Sequence, residues 1–161
     1  MSYTMKYRIL SAEELTALEE EFKQFLIVHG VFGEEWKKMN EENPDEAIEL
    51  VEIFSDTVLE KVYSGISYLE YRSKELLILL AFSDGLVEQI RIQPKESKEI
   101  DLSNWIGLTS AMSSLEQLDA FFGKKQLDTS KSEAIHVFVN QGFIPSEESF
   151  WEQMKRFIIP N

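Results

Sequence analysis

The sequence has no cysteine and only two histidines among its 161 residues. Without cysteine there is no disulfide, no thiolate nucleophile and no zinc–thiolate site, and a reducing, cytoplasmic setting is the default expectation. Four prolines and seven glycines are too few for a collagen-like or low-complexity chain. The longest apolar run, residues 76–82, is far short of the ~18 residues of a membrane span. The first ten residues lack the apolar stretch of a secretory signal. Basic side chains are scarce as well, 16 against 29 acidic ones. The resulting charge of −13 opposes nonspecific binding to nucleic acid or an anionic membrane, since both would be repelled.

What is present is an ordinary globular composition, 43% hydrophobic and 28% charged, and a length that suits one domain with its own core. The negative charge is unevenly placed. Residues 1–10 carry +2, residues 11–70 carry −12 and residues 71–161 only −3. Such asymmetry marks either a surface for a basic partner or a solvated acidic face.

Local signals outline an α+β fold. Ser11 and Glu14 have the spacing of a capping box, ahead of a helical stripe from Leu15 through Leu18, Phe22, Phe25 and Leu26 to His29, with a stop at Gly30. Gly33 to Trp36 suggests a short helical turn. Asn43-Pro44-Asp45-Glu46 starts a long helix ending near Tyr63. Its apolar side is expected at Leu50, Val51, Phe54, Val58 and Val62. Asp45, Glu49, Glu52, Asp56 and Glu60 form an acidic stripe within an arc of about 80° at ~100° per residue. Like-charge neighbours at this spacing cost about 1–2 kcal/mol in total. Burying the opposite face offsets that, at about 1.5–3 kcal/mol per large side chain.

Beyond Gly65 the period shifts toward strands over residues 66–72, 75–82 and 86–92, the last two joined by the type I′ hairpin signal Asp84-Gly85. That turn pairs Leu77 with Ile92, Leu79 with Ile90 and Ala81 with Glu88 on a core-like side. The other side pairs Ile78 with Arg91, Leu80 with Gln89 and Phe82 with Val87, and needs a cover from the C-terminal helices or a partner chain. Residues 94–112 suggest an irregular connection with a short strand at 100–102. Capping boxes at Ser113/Glu116 and Ser130/Glu133 indicate helices stopping near Gly123 and Gly142. A strand is the competing reading for residues 134–139. Pro145-Ser146-Glu147-Glu148 opens a last helix with Phe150, Trp151, Met154, Phe157 and Ile158 on one face. The expected fold is thus a single α+β domain over residues 1–161: N-terminal helices, a three-stranded antiparallel meander, and C-terminal helices packed on the sheet.

Asn43-Pro44-Asp45-Glu46-Ala47, Glu52-Ile53-Phe54-Ser55-Asp56, Glu60-Lys61-Val62, Met5-Lys6-Tyr7-Arg8, Tyr68-Leu69-Glu70-Tyr71-Arg72-Ser73 and Gln141-Gly142-Phe143-Ile144-Pro145-Ser146 together resemble a family of short uncharacterised bacterial proteins, a domain of unknown function. The resemblance covers most of residues 5–93 and 130–157. It implies that Met5 corresponds to the usual family start, and it implies no catalytic or binding residue.

Motifs of chemistry are sparse. Glu133-Ala-Ile-His136 has the spacing at which a helix offers a carboxylate and an imidazole to a metal. The other histidine, His29, has Leu26 at the matching place, and Glu133 is already explained as a cap, so neither metal nor cofactor is expected. His29 reads more simply as a helix C-terminal partner or a half-buried core residue. Nucleotide-binding glycine motifs and zincin motifs are absent. Lys124, Lys125 and Lys131 form a sparse basic cluster, read as a loop.

Three functional readings follow. The first is a noncatalytic interaction or adaptor protein that meets a basic partner through Glu49, Glu52, Asp56 and Glu60. The second is an enzyme or small-ligand binder with a pocket between the sheet and the C-terminal helices, with Glu70, Arg72 and His136 as candidate groups. The third is a homodimer formed through the sheet face of Ile78, Leu80 and Phe82.

Overall fold

Asp84 and Gly85 adopt φ values of 43° and 78°, the paired left-handed conformations of a type I′ turn. The hairpin they close has the expected register, with Leu77 opposite Ile92, Leu79 opposite Ile90 and Phe82 opposite Val87. The computed structural model describes residues 3–95, 100–113 and 115–159. The chain gathers into two compact units, Met1–Val62 and Tyr63–Asn161.

The first unit is helical. Helix α1 (Ala12–Ala17) carries the full Ser11/Glu14 capping box, and α2 (Glu19–Val28) follows after a break at Leu18, so the single expected helix is two. Helix α3 spans Gly33–Glu42, longer than the turn expected there. Pro44 takes the first position of α4 (Pro44–Ser64), where its missing N–H is harmless. Phe22 and Phe25 of α2 pack on Phe54 of α4 at 4.9 and 5.3 Å between centroids, and Trp36 of α3 stands edge-on to Phe22 at 5.2 Å. The buried side of α4 is rotated from the expected one. Ala47, Phe54, Ser55, Asp56, Leu59 and Tyr63 are buried, whereas Val62 is exposed.

The second unit is built on a five-stranded antiparallel sheet in the order β4-β3-β2-β1-β5. Its strands are β1 (Tyr68–Arg72), β2 (Leu77–Ser83), β3 (Leu86–Pro94), β4 (Leu118–Gln126) and β5 (Ile144–Pro145). The expected meander is its centre; β4 and β5 extend it at the two edges. Residues 118–126 do not continue a helix from Ser113, because the open edge of β3 offers nine residues of antiparallel pairing. Ser113 instead closes helix α5 (Trp105–Met112), and only a single 3-10 turn, Leu115–Gln117, precedes the strand. Lys124 and Lys125 therefore lie on a strand, not in a loop. Residues 100–102 form no strand.

Helix α5 begins at an unforeseen N-cap, Asn104, whose side chain accepts from the Gly107 amide at 2.8 Å. Gly107 lies inside the helix because the helix passes close to Asp101. A Cβ there would stand 1.8 Å from the Asp101 carbonyl oxygen. Residues 134–139 belong to helix α6 (Lys131–Asn140), and the chain's last helix is α7 (Glu148–Ile158).

The sheet is covered on both faces. Leu77, Leu79, Ile90 and Ile92 form one core with Leu102, Leu108 and Ala111 near α5 and with Phe150, Trp151 and Met154 of α7. Each large side chain enclosed there contributes about 1.5–3 kcal/mol. Glu88, on this same face, is met by Lys155 of α7 at 3.9 Å. On the opposite face Phe82 meets Phe138 of α6 at 6.2 Å, and Phe138 and Tyr71 both pack on Phe143. Leu80 and Phe82 are buried, which removes the Ile78–Leu80–Phe82 face as a surface for a second copy.

Candidate functional site

The C-terminal part of the acidic stripe of α4, Asp56 and Glu60, is committed within its own unit. Asp56 is only 5% exposed and accepts from the Tyr3 hydroxyl (2.7 Å) and from the main-chain amides of Lys6 (2.6 Å) and Tyr7 (2.9 Å). Its buried neighbour Ser55 accepts from the Leu10 amide at 3.0 Å and donates to the Val51 carbonyl. Glu60 accepts from the Tyr7 hydroxyl and lies 3.7 Å from Lys6 Nζ. The stripe thus holds the basic N-terminal segment along α4, satisfying amides that would otherwise lie unpaired. The carboxylate hydrogen bond raises the Tyr3 phenol to about 12. Burial, and then Glu60, push the Tyr7 phenol up. Asp56 is therefore not a surface group for a partner. Of the rest of the stripe, Glu49 and Glu52 are half-buried and Asp45 is exposed.

Glu70 and Arg72 are brought together, and His136 is not. On β1 the two project to one side of the sheet, where Arg72 Nε meets Glu70 Oε2 at 2.9 Å, with side chains 21% and 16% exposed. The Ser146 hydroxyl donates to the other Glu70 oxygen at 2.8 Å. The Arg72 guanidinium lies 4.8 Å from the Phe150 ring centre and 5.3 Å from that of Trp105, a cation–π arrangement that suits its flat, weakly hydrated head. Both charges are spent on each other and on this frame. His136 sits on α6, across the sheet, with Nδ1 2.9 Å from the Tyr63 hydroxyl and Nε2 3.2 Å from Asn140 Nδ2. Among the described residues no three histidine, aspartate or glutamate side chains gather as a metal-binding group. His29 Nδ1 lies 2.9 Å from the Phe25 carbonyl oxygen, at the C-terminus of α2.

A pocket does exist between the sheet and the C-terminal helices, with a different lining from the one expected. A cleft of about 170 Å³ is bounded by Ile92, Leu118 and Ala120 of the sheet, Met112 of α5, and Met154, Phe157 and Ile158 of α7. Among the described residues no titratable side chain lines it. The sequence pattern placed Met154, Phe157 and Ile158 on one helix face as core. All three line the cleft, Met154 buried, Ile158 half-buried and Phe157 exposed. Helix α5 also presents an open groove of about 520 Å³ along Trp105, Ile106, Thr109, Ser110 and Ser113, with Trp105 57% and Ile106 85% exposed.

No helix among the described residues is long and apolar enough to cross a membrane. Among known proteins, one family model matches residues 5–159, that of a family of unknown function (DUF6495). No curated protein and no solved structure matches the chain.

Proposed function

The chain belongs to that family, which carries no activity with it, and we propose that the protein is a noncatalytic interaction protein that seats an apolar side chain of its partner in the cleft of its C-terminal unit. The observation that carries this reading is the cleft itself, lined by Ile92, Met112, Leu118, Ala120, Met154, Phe157 and Ile158. Pockets for whole small molecules hold about 300–1,000 Å³ and place a few polar groups for orientation. A space of about 170 Å³ with a mainly apolar lining suits one large side chain, the anchor typical of protein interfaces. The neighbouring groove on α5, with Trp105 and Ile106 open to solvent, supplies further apolar surface of the kind interfaces use.

Selection of random displayed peptides on the full chain tests this. Enriched peptides are expected to share a Leu, Phe or Met anchor. Ile158→Trp, which fills the cleft, is expected to weaken them at least about tenfold without lowering the melting temperature. Peptides lacking such an anchor, or indifferent to Ile158→Trp, would reject the reading.

A basic partner is the second reading. Glu49 and Glu52 make no ion pair among the described residues and are the part of the stripe it would meet. Charge reversal of both should abolish its capture. A cytoplasmic location is inferred from the absence of cysteine.

A further inference from the structure

Strand β4 is the outer strand of the sheet, paired to β3 on one side. Asp119, Ala120, Phe121, Lys124, Lys125 and Gln126 are exposed along it. Among the described residues no strand pairs with its other side, and nine residues of open edge are a template for another strand. The flanking hydrogen bonds show which residues point outward. Lys95 N donates to Gln117 O, and Leu127 N donates to Gly85 O, each at 2.8 Å. Odd-numbered positions of β4 therefore bond to β3, and the even-numbered ones, Leu118 to Gln126, turn their N–H and C=O groups to the open side.

We propose that this edge pairs with the same edge of a second copy of this chain, antiparallel, with Phe122 opposite Phe122. Only this register matches all nine residues of one strand with all nine of the other. It makes the even-numbered positions the hydrogen-bonded pairs, as their outward amides require, for about ten main-chain hydrogen bonds. The odd-numbered positions become the close, non-hydrogen-bonded pairs. Asp119 then faces Lys125 of the second copy, and Lys125 faces Asp119, two identical opposite-charge pairs. None of Asp119, Lys124 and Lys125 makes an ion pair among the described residues. Phe121 faces Gly123 of the second copy. Its ring already lies over its own Gly123, where a Cβ would stand 3.0 Å from the ring. Glycine at 123 thus leaves room for both rings beside the two-fold axis. Lysines on an edge strand ordinarily repel other strands. Here the same lysines oppose foreign edges and, through Asp119, admit this one. The pairing does not rest on the cleft reading: it uses the outward main chain of Leu118 and Ala120, whose side chains line the cleft.

Sedimentation equilibrium of the full chain from micromolar to millimolar concentration tests the proposal. The wild type is expected to show a monomer–dimer equilibrium. Asp119→Lys and Lys125→Asp should each raise the dimer dissociation constant at least about fivefold, because each alters both symmetric pairs. The double variant should return to within about twofold of wild type. Lys124→Pro, which deletes an outward N–H, should be monomeric with an unchanged circular dichroism spectrum. A wild type monomeric at the highest concentration overturns the proposal. So does a dimer indifferent to these changes, or a double variant that fails to recover.

Discussion

Asp56 Oδ2 takes a hydrogen bond from the main-chain amide of Lys6 at 2.6 Å, across fifty positions of sequence, and makes a helix side chain the anchor of the N-terminal segment. With the Tyr7 amide and the Tyr3 hydroxyl it completes three bonds on one buried carboxylate. Asp56→Ala leaves those donors unpaired and should lower stability by about 2–3 kcal/mol, since a buried donor without an acceptor costs about 1–3 kcal/mol. Urea denaturation checks this. Glu49→Ala on the same helix should stay within about 0.5 kcal/mol.

The same carboxylate sets an alkaline limit. The Tyr3 phenol is raised from 10.0 to about 12 by its bond to Asp56. A group with a raised folded pKa stabilises the fold fully below its unfolded value and loses that contribution as pH rises through the folded one. Stability should therefore decline between pH 10 and about 12. Phenolate absorbance should show Tyr3 among the tyrosines that titrate late, and Asp56→Asn should return it toward the usual range.

Glu14 behaves oppositely at the acid end. Arg8 grips it with two bonds, at 2.8 and 3.0 Å, and the Ser11 amide adds a third, holding its carboxyl down to about 2 from 4.5. The stabilisation is present above pH 4.5 and is lost as pH falls toward 2. With side chains 44% and 41% exposed, its size is below about 1 kcal/mol. Carboxyl NMR titration of the Arg8→Ala variant should show Glu14 moving back up.

Arg72→Lys tests the framed ion pair on β1. Lysine keeps the charge and loses the flat head that lies over Phe150 and Trp105, so a loss of about 1–2 kcal/mol is expected. Thermal melting reads it, and quenching of Trp105 fluorescence should change in the same variant.

Gly107→Ala is the sharpest packing test. Its new Cβ would stand 1.8 Å from a backbone oxygen, so either α5 shifts or the Asp101 turn opens. A loss of about 3 kcal/mol is expected, with faster amide exchange across Trp105–Met112. Ser110→Ala on the same helix should be nearly neutral.

Much of the fold was legible in short-range chemistry. The Ser11 and Ser130 caps, Pro44 at a helix start and Asp84-Gly85 at a hairpin act within a few residues, and all appear where their spacing places them. The misses share a different cause. Residues 94–112 read as an irregular connection, yet they hold α5, and the missing side chain of Gly107 is what lets that helix approach Asp101. Leu118–Gln126 follows a helical cap signal, yet the unpaired edge of β3 draws it into the sheet. The candidate site fared likewise. Glu70 and Arg72 do meet, two residues apart on one strand, but their charges are consumed by each other and by Ser146. The cleft is lined by apolar residues that no spacing rule separates from core.

The sequence by itself determined the α+β class, the central hairpin register, several of the helix starts and the concentration of negative charge before residue 70, because capping, turn conformation and charge act over a few bonds. Only the tertiary structure decided what that charge is for. A carboxylate at position 56 looks the same in sequence whether it faces water or three donors from the N-terminal segment. Burial, edge pairing and cleft formation depend on residues tens of positions apart arriving at one place, and no local pattern encodes that arrival.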